Sequence, residues 1–121
     1  MKQRTFFIPG DAIDATLAPG HGSCYATDRI TVEGRRVGFM YREQPDNPTD
    51  SGWRFFDGTE SQEYVDNPDN LAIYNVNTIA NYDSDIIPCL DAPVGSAFER
   101  TTGTPGFVET QFPDRPDDVD G

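Results

Sequence analysis

The stretch from Gly52 to Arg100 limits what this chain can fold into, because its apolar residues arrive in short bursts cut apart by turn formers. Trp53-Arg54-Phe55-Phe56 runs into Asp57-Gly58, and Leu71–Val76 follows the turn Asp66-Asn67-Pro68-Asp69-Asn70. Bursts this short, bounded by Gly, Pro and Asn, predict strands. Between them Thr59 is the expected cap of a short helix over Glu60–Val65. After Asn77, itself an expected N-cap, the period changes. Ile79, Tyr82, Ile86, Ile87 and Leu90 recur at helical spacing. Pro88 would clash inside one continuous helix, so the spacing predicts a turn over 78–82 and a second short helix begun by Asp83 or Ser84. Pro93 ends it, and residues 95–100 return as a strand. Thr101–Gly106 then turns into Phe107-Val108-Glu109.

Upstream, Thr5–Ile8 is a strand candidate stopped by Pro9-Gly10, and Asp11 is placed to cap one helical turn through Leu17. Residues 24–32 are rich in β-branched and aromatic types, and 36–42 alternate, with Val37, Phe39 and Tyr41 on one face. Glu33-Gly34 between them predicts a hairpin, since glycine takes positive φ without steric cost. Residues 44–52 are dense in turn formers and predict a loop. Hairpin strands, a block of helices and a return to strands describe an α+β fold. The expectation is a single small domain over 1–112. It has a mostly antiparallel sheet of five or six strands with two or three short helices on one face. Residues 113–121 carry four aspartates and no core-forming content, which predicts a mobile acidic tail.

Charge is the strongest global signal. Lys and Arg number 9 against 21 Asp and Glu, a net charge of -12. From Glu43 to Asp91 the only base is Arg54, whereas the first 42 residues hold more bases than acids. A chain of this sign repels phosphate, which argues against nucleic acid and against an anionic membrane surface. No run approaches the ~18 apolar residues of a membrane span. The apolar part of the N-terminus is far short of the roughly 7–15 residues of a signal peptide, so a cytoplasmic location is expected. The acids Asp57, Glu60, Glu63, Asp66 and Asp69 bunch around one short helix and two turns, with Asp83 and Asp85 in a second group. Such runs usually form a solvated face that keeps a protein soluble. They also create a field that steers a basic partner, and these seven are the candidate partner interface.

Catalytic chemistry finds little footing. One histidine, His21, and two distant cysteines, Cys24 and Cys89, do not make a zinc set. The cysteines read as buried thiols, with Cys24 packed inward from a strand. Neither Asp46–Asp50 nor Asp66–Asn70 has the calcium-loop spacing. With so many acids, a carboxylate pair at glycosidase distance arises by chance and carries no weight. Trp53, Phe55 and Phe56 read as core, and Arg54 as a structural tie to a nearby carboxylate. The residues themselves point to a non-catalytic acidic binding domain without metal or cofactor.

The order of motifs resembles the immunity proteins of bacterial polymorphic toxin systems, family thirty-three. The resemblance rests on VGFMYRE at 37–43, SGWRFFDG at 51–58, EYVDNPDN at 63–70 and IYNVNTIANYDSDIIPCLDAPVGSAFER at 73–100, covering 24–100. It implies a small cytoplasmic protein that binds and neutralises a cognate toxin of the same strain. An acidic inhibitor suits a toxin with a basic surface. The alternative is a housekeeping or regulatory protein-binding domain outside any toxin system. The resemblance implies no catalytic residues.

Overall fold

The computed structural model describes residues 4–101 and 106–112. Six strands form one sheet: β1 (Ser23–Thr27), β2 (Phe39–Arg42), β3 (Asp50–Phe56), β4 (Leu71–Asn75), β5 (Ala97–Glu99) and β6 (Val108–Thr110). Their order across the sheet is β4-β1-β3-β2-β5-β6. Only β1 and β3 run parallel; the other four pairings are antiparallel. Short helices α1 (Asp28–Thr31), α2 (Gln62–Asp66) and α3 (Val76–Tyr82) are joined by a 3₁₀ helix over Ser84–Cys89. This is the α+β domain expected. No helix among the described residues is long and apolar enough to cross a membrane.

The core lies between one face of the sheet and the helices. Cys24 and Ala26 from β1, Met40 from β2, and Trp53 and Phe55 from β3 pack against Ile30, Val76, Ile79, Ala80, Ile86 and Leu90. Trp53 is fully buried, and its indole Nε1 donates to the Leu90 carbonyl at 3.2 Å, tying the central strand to the end of the 3₁₀ helix. That bond satisfies the one polar atom of the largest core side chain. Both cysteines are free thiols, Cys24 buried and Cys89 half-buried.

The hairpin predicted for 24–32 and 36–42 does not form. β1 lies between β3 and β4 and uses both of its edges there, so it cannot pair with β2. The hairpin instead joins β2 to β3 through residues 43–49. Residues 28–31 turn into α1, and the Gly34 amide donates to the Ile30 carbonyl at 3.0 Å. The positive φ of Gly34, 80°, therefore closes a helix instead of a strand turn, two uses that glycine serves equally well. A side chain there would also run into the Phe7 ring, 2.5 Å from where its Cβ would sit.

Other boundaries shift for local reasons. Thr5–Ile8 pairs with no strand; the Phe7 amide bonds the Thr31 carbonyl at 2.8 Å, and Phe6 meets Tyr74 edge-on. The turn expected after Asp11 is confined to a 3₁₀ turn over Gly10–Ala12. Ser61, not Thr59, caps α2 by accepting from the Tyr64 amide at 3.1 Å, because Thr59 is already bound to Asp57. The α3 cap position falls on Asn75, not Asn77. Asn77 is buried inside α3, where it accepts from the Ala18 amide and donates to the Asp14 carbonyl, pinning the N-terminal loop. Asp83 does cap the 3₁₀ helix, accepting from the Asp85 amide at 3.1 Å. The strand expected at 95–100 is shorter, Ala97–Glu99. The acidic tail expected at 113–121 lies outside the described residues.

Candidate functional site

The seven acids singled out in the sequence separate into two kinds once folded. Asp57 turns inward at the end of β3, its side chain 3% exposed, and accepts from the Thr59 amide and hydroxyl at 2.9 and 2.7 Å. Burial works against its charge, but the Thr59 hydrogen bonds and the Arg35 guanidinium hold its pKa below the usual value. Glu60 accepts from the Thr27 hydroxyl at 2.6 Å and from the Asp57 and Gly58 amides. It thereby latches the β3–α2 connection to the end of β1. Asp83 is 1% exposed and takes the Val37 amide, Arg100 and Arg36. Asp85 joins Arg36 at 2.5 Å and Arg100 at 3.0 Å.

Glu63, Asp66 and Asp69 are the exposed members, on α2 and the turn after it. Asp66 accepts from the Gln62 amide group on the same helix at 2.8 Å. These three project the unbalanced charge of the acidic run, whereas Asp57, Glu60 and Asp83 hold the chain's own backbone and arginines.

The sheet carries a second group of side chains that the sequence reading did not assemble. The core claims one face, and alternation along each strand sends the remaining residues to the other. On that other face Tyr25 stands opposite Ile73 and Arg54, Tyr41 opposite Arg54 and Ala97, and Phe39 opposite Phe56 and Glu99. None of the helices that fill the core packs here; none of these aromatic side chains belongs to the core cluster. Tyr41 stacks on Phe56 at 5.6 Å between ring centres, and Phe112 meets Tyr41 edge-on at 5.3 Å. Ile73 is 62% exposed.

Arg54 belongs to this face by register but is buried within it, 3% exposed. Its guanidinium grips Asp50 with two bonds of 2.9 Å, donates to Glu43 at 2.5 Å and lies 4.5 Å from the centre of the Tyr25 ring. Burial opposes its charge, yet the bonds to Asp50 and Glu43 outweigh that and hold its pKa above the ordinary arginine value. In return the Arg54 hydrogen bonds hold Asp50 well below the usual carboxylate range. The tie read from the sequence as Arg54 to a nearby carboxylate is this one. Its signal was a lone base in an acidic stretch, whereas its place among aromatic rings required the sheet order.

Beside the open face, a shallow cleft of about 450 Å³ is lined by Phe39, Asp57, Thr59, Glu99 and Arg100. Two of its charged groups are engaged, Asp57 by Thr59 and Arg35 and Arg100 by Asp83 and Asp85, while Glu99 is exposed. Among the described residues no three His, Cys, Asp or Glu side chains converge as metal ligands. Cys24 faces the core, and burial pushes its thiol well up, so it is a packing residue and not a nucleophile.

The family model described as the Immunity protein Imm33 domain matches residues 24–111, a span that takes in nearly the whole sheet. No curated protein and no solved structure matches the chain.

Proposed function

Because the chain belongs to the Imm33 immunity protein family, we propose that it protects its bacterial host by binding and neutralising a cognate toxin of a polymorphic toxin system. The family match supports an immunity role in general, and it is the observation that carries the reading. In this proposal inhibition is stoichiometric and takes place in the cytoplasm, and the chain makes and breaks no bond. A net charge of -12 supports a toxin with a basic surface. Exposed carboxylates raise the encounter rate with such a surface, and the gain falls as salt screens it. Glu63, Asp66 and Asp69 are the acids placed to do this, since Asp57, Glu60 and Asp83 are engaged internally.

The test is to read the genes beside this one and to co-express this chain with the toxin domain that the proposal expects there. Growth arrest by that domain alone, relieved when this chain is present, is the expected result. Arrest that persists despite a soluble, folded chain would refute the immunity role, and a neighbouring gene of unrelated function would favour a regulatory binding domain.

A further inference from the structure

The acids account for attraction at a distance but not for a contact surface, because exposed carboxylates on a short helix and a turn contribute little to a lasting grip. Lasting grip comes from desolvated aromatic and arginine side chains surrounded by a polar border. One place in the described structure sets half-buried aromatic rings inside a border of exposed carboxylates. We propose that the open face of the sheet is where the toxin docks: the half-buried rings of Tyr25, Phe39 and Tyr41 at the centre, Ile73 on the β4 side, carboxylates at the border, with the buried Arg54 holding the centre from beneath. The inference rests on the immunity reading above and names the surface that would serve it.

The occupant follows from charge. The border of the face carries Glu43 and Asp46 at the β2–β3 loop and Glu99 on β5. Asp46 is exposed and lies 3.8 Å from Arg54, beyond the tight pair that Arg54 makes with Asp50. A matching surface is apolar in the middle and basic at its edge. A second copy of this chain brings the same carboxylates and the same net charge of -12, so self-association through this face is opposed. A basic toxin meets no such repulsion.

The face is also pre-formed. Arg54 is held by Asp50 and Glu43, and Tyr41 by Phe56 and Phe112, so few rotamers remain to be frozen on binding. Ile73, 62% exposed on an edge strand, is apolar surface that the monomer leaves in water.

The experiment measures association and dissociation rates of the full chain with a catalytically inactivated form of the toxin domain that the immunity reading expects beside its gene. The double variant Ile73→Lys/Glu99→Lys places positive charge on the face at two exposed positions, and its urea midpoint is expected to match wild type. The variant Glu63→Gln/Asp66→Asn/Asp69→Asn removes the exposed helix-side charge. The expected result is a dissociation rate at least tenfold higher for the face variant. For the acid variant, the expected result is a several-fold lower association rate with dissociation unchanged. A face variant that dissociates like wild type overturns the docking assignment while leaving the immunity role intact. Absence of binding by wild type at micromolar concentration overturns both. A concentration-dependent dimer in sedimentation that Ile73→Lys/Glu99→Lys abolishes would put a second copy on the face and overturn the assignment. So would a wild-type association rate that saturates with toxin concentration and is altered by Asp114→Asn/Asp117→Asn/Asp118→Asn/Asp120→Asn, because the chain's own tail would then be the occupant.

Discussion

Replacing Asp50 with asparagine tests the account of the Arg54 centre in its strongest form. The Asp50 carboxylate accepts four hydrogen bonds: Oδ1 from the Gly52 amide and Arg54 Nη1, Oδ2 from the Asp46 amide and Arg54 Nη2. An asparagine keeps one oxygen. In either orientation of its amide, the NH₂ group faces one backbone N–H and one guanidinium N–H, so two donors lose their acceptor in a site that is almost dry. Each buried donor left unpaired costs about 1–3 kcal/mol, and breaking one side of a buried ion pair costs about 3–5 kcal/mol. Glu43 still holds Arg54 Nε, which places the expected loss near about 3 kcal/mol, a large share of the ~5–15 kcal/mol that a domain of this size possesses. Urea unfolding at pH 7, followed by the emission of Trp53, reads it as a lower midpoint with unchanged slope. The double variant Asp50→Asn/Arg54→Met removes the charge that the single variant strands, so it is expected to lose less than the sum of the two single changes.

The pH dependence carries the same sign. Asp50 has a folded pKa below its unfolded value of about 3.9. Its contribution is therefore complete above that unfolded value and is lost as pH falls through the lower folded one. The stability gap between wild type and Asp50→Asn is expected to be constant from pH 7 to about 5 and to narrow below about 4. A single-variant loss under about 1 kcal/mol at pH 7 would refute the reasoning, because no buried charge would then have been stranded.

Two further outcomes follow from local geometry. Gly52 has φ 91°, and a Cβ there would sit 2.2 Å from the Glu43 carbonyl oxygen that faces it across the β2–β3 hairpin, so Gly52→Ala is expected to cost more than about 2 kcal/mol in urea unfolding; a neutral substitution would mean the hairpin adjusts freely. Iodoacetamide at pH 8, read by peptide mass spectrometry, is expected to label half-buried Cys89 well before buried Cys24, with Cys24 reacting only in urea; equal rates in the folded chain would contradict the packing of β1.

How much of this was legible depends on whether a residue's role is local or set by strand order. Trp53 and Phe55 declare themselves as core through composition alone, and the helical spacing of Ile79, Ile86 and Leu90 survives the interruption by Pro88 because a 3₁₀ helix bridges it. The Glu33-Gly34 signal failed since positive φ ends a helix as readily as it turns a hairpin, and Ile30 and Thr31 gain burial by taking the helical course. The parallel pairing of β1 with β3 leaves no local trace, because nothing within residues 23–27 or 50–56 names its neighbour. The open face was hidden for the same reason. Arg54 and Phe56 alternate with Trp53 and Phe55, so the run reads as one apolar burst until the sheet divides it into two faces.

The acids show the same division between chain and fold, and it bears on how the charge of this protein acts. The ion pairs among the described residues use arginines: Arg4 with Asp28, Arg35 with Glu33 and Asp57, Arg36 and Arg100 with Asp83 and Asp85, Arg54 with Glu43, Asp46 and Asp50. Arg4, Arg35, Arg36, Arg54 and Arg100 are thus paired with particular carboxylates, and the outward field is set by the acids left over. Neutralising acids by their order in the sequence would mix two effects, because Asp57 and Glu60 hold backbone amides while Glu63 and Asp69 face water. Neutralising Glu63, Asp66 and Asp69 together weakens the field at a stability change within about 0.5 kcal/mol, as exposed surface substitutions do. Asp83→Asn, by contrast, keeps only one acceptor oxygen where Oδ1 takes the Asp85 amide and Oδ2 takes the Val37 amide and Arg100, so in either orientation its amide leaves a backbone donor unpaired and lowers stability without much altering the field. Steering and folding are therefore assigned to different carboxylates of one acidic run.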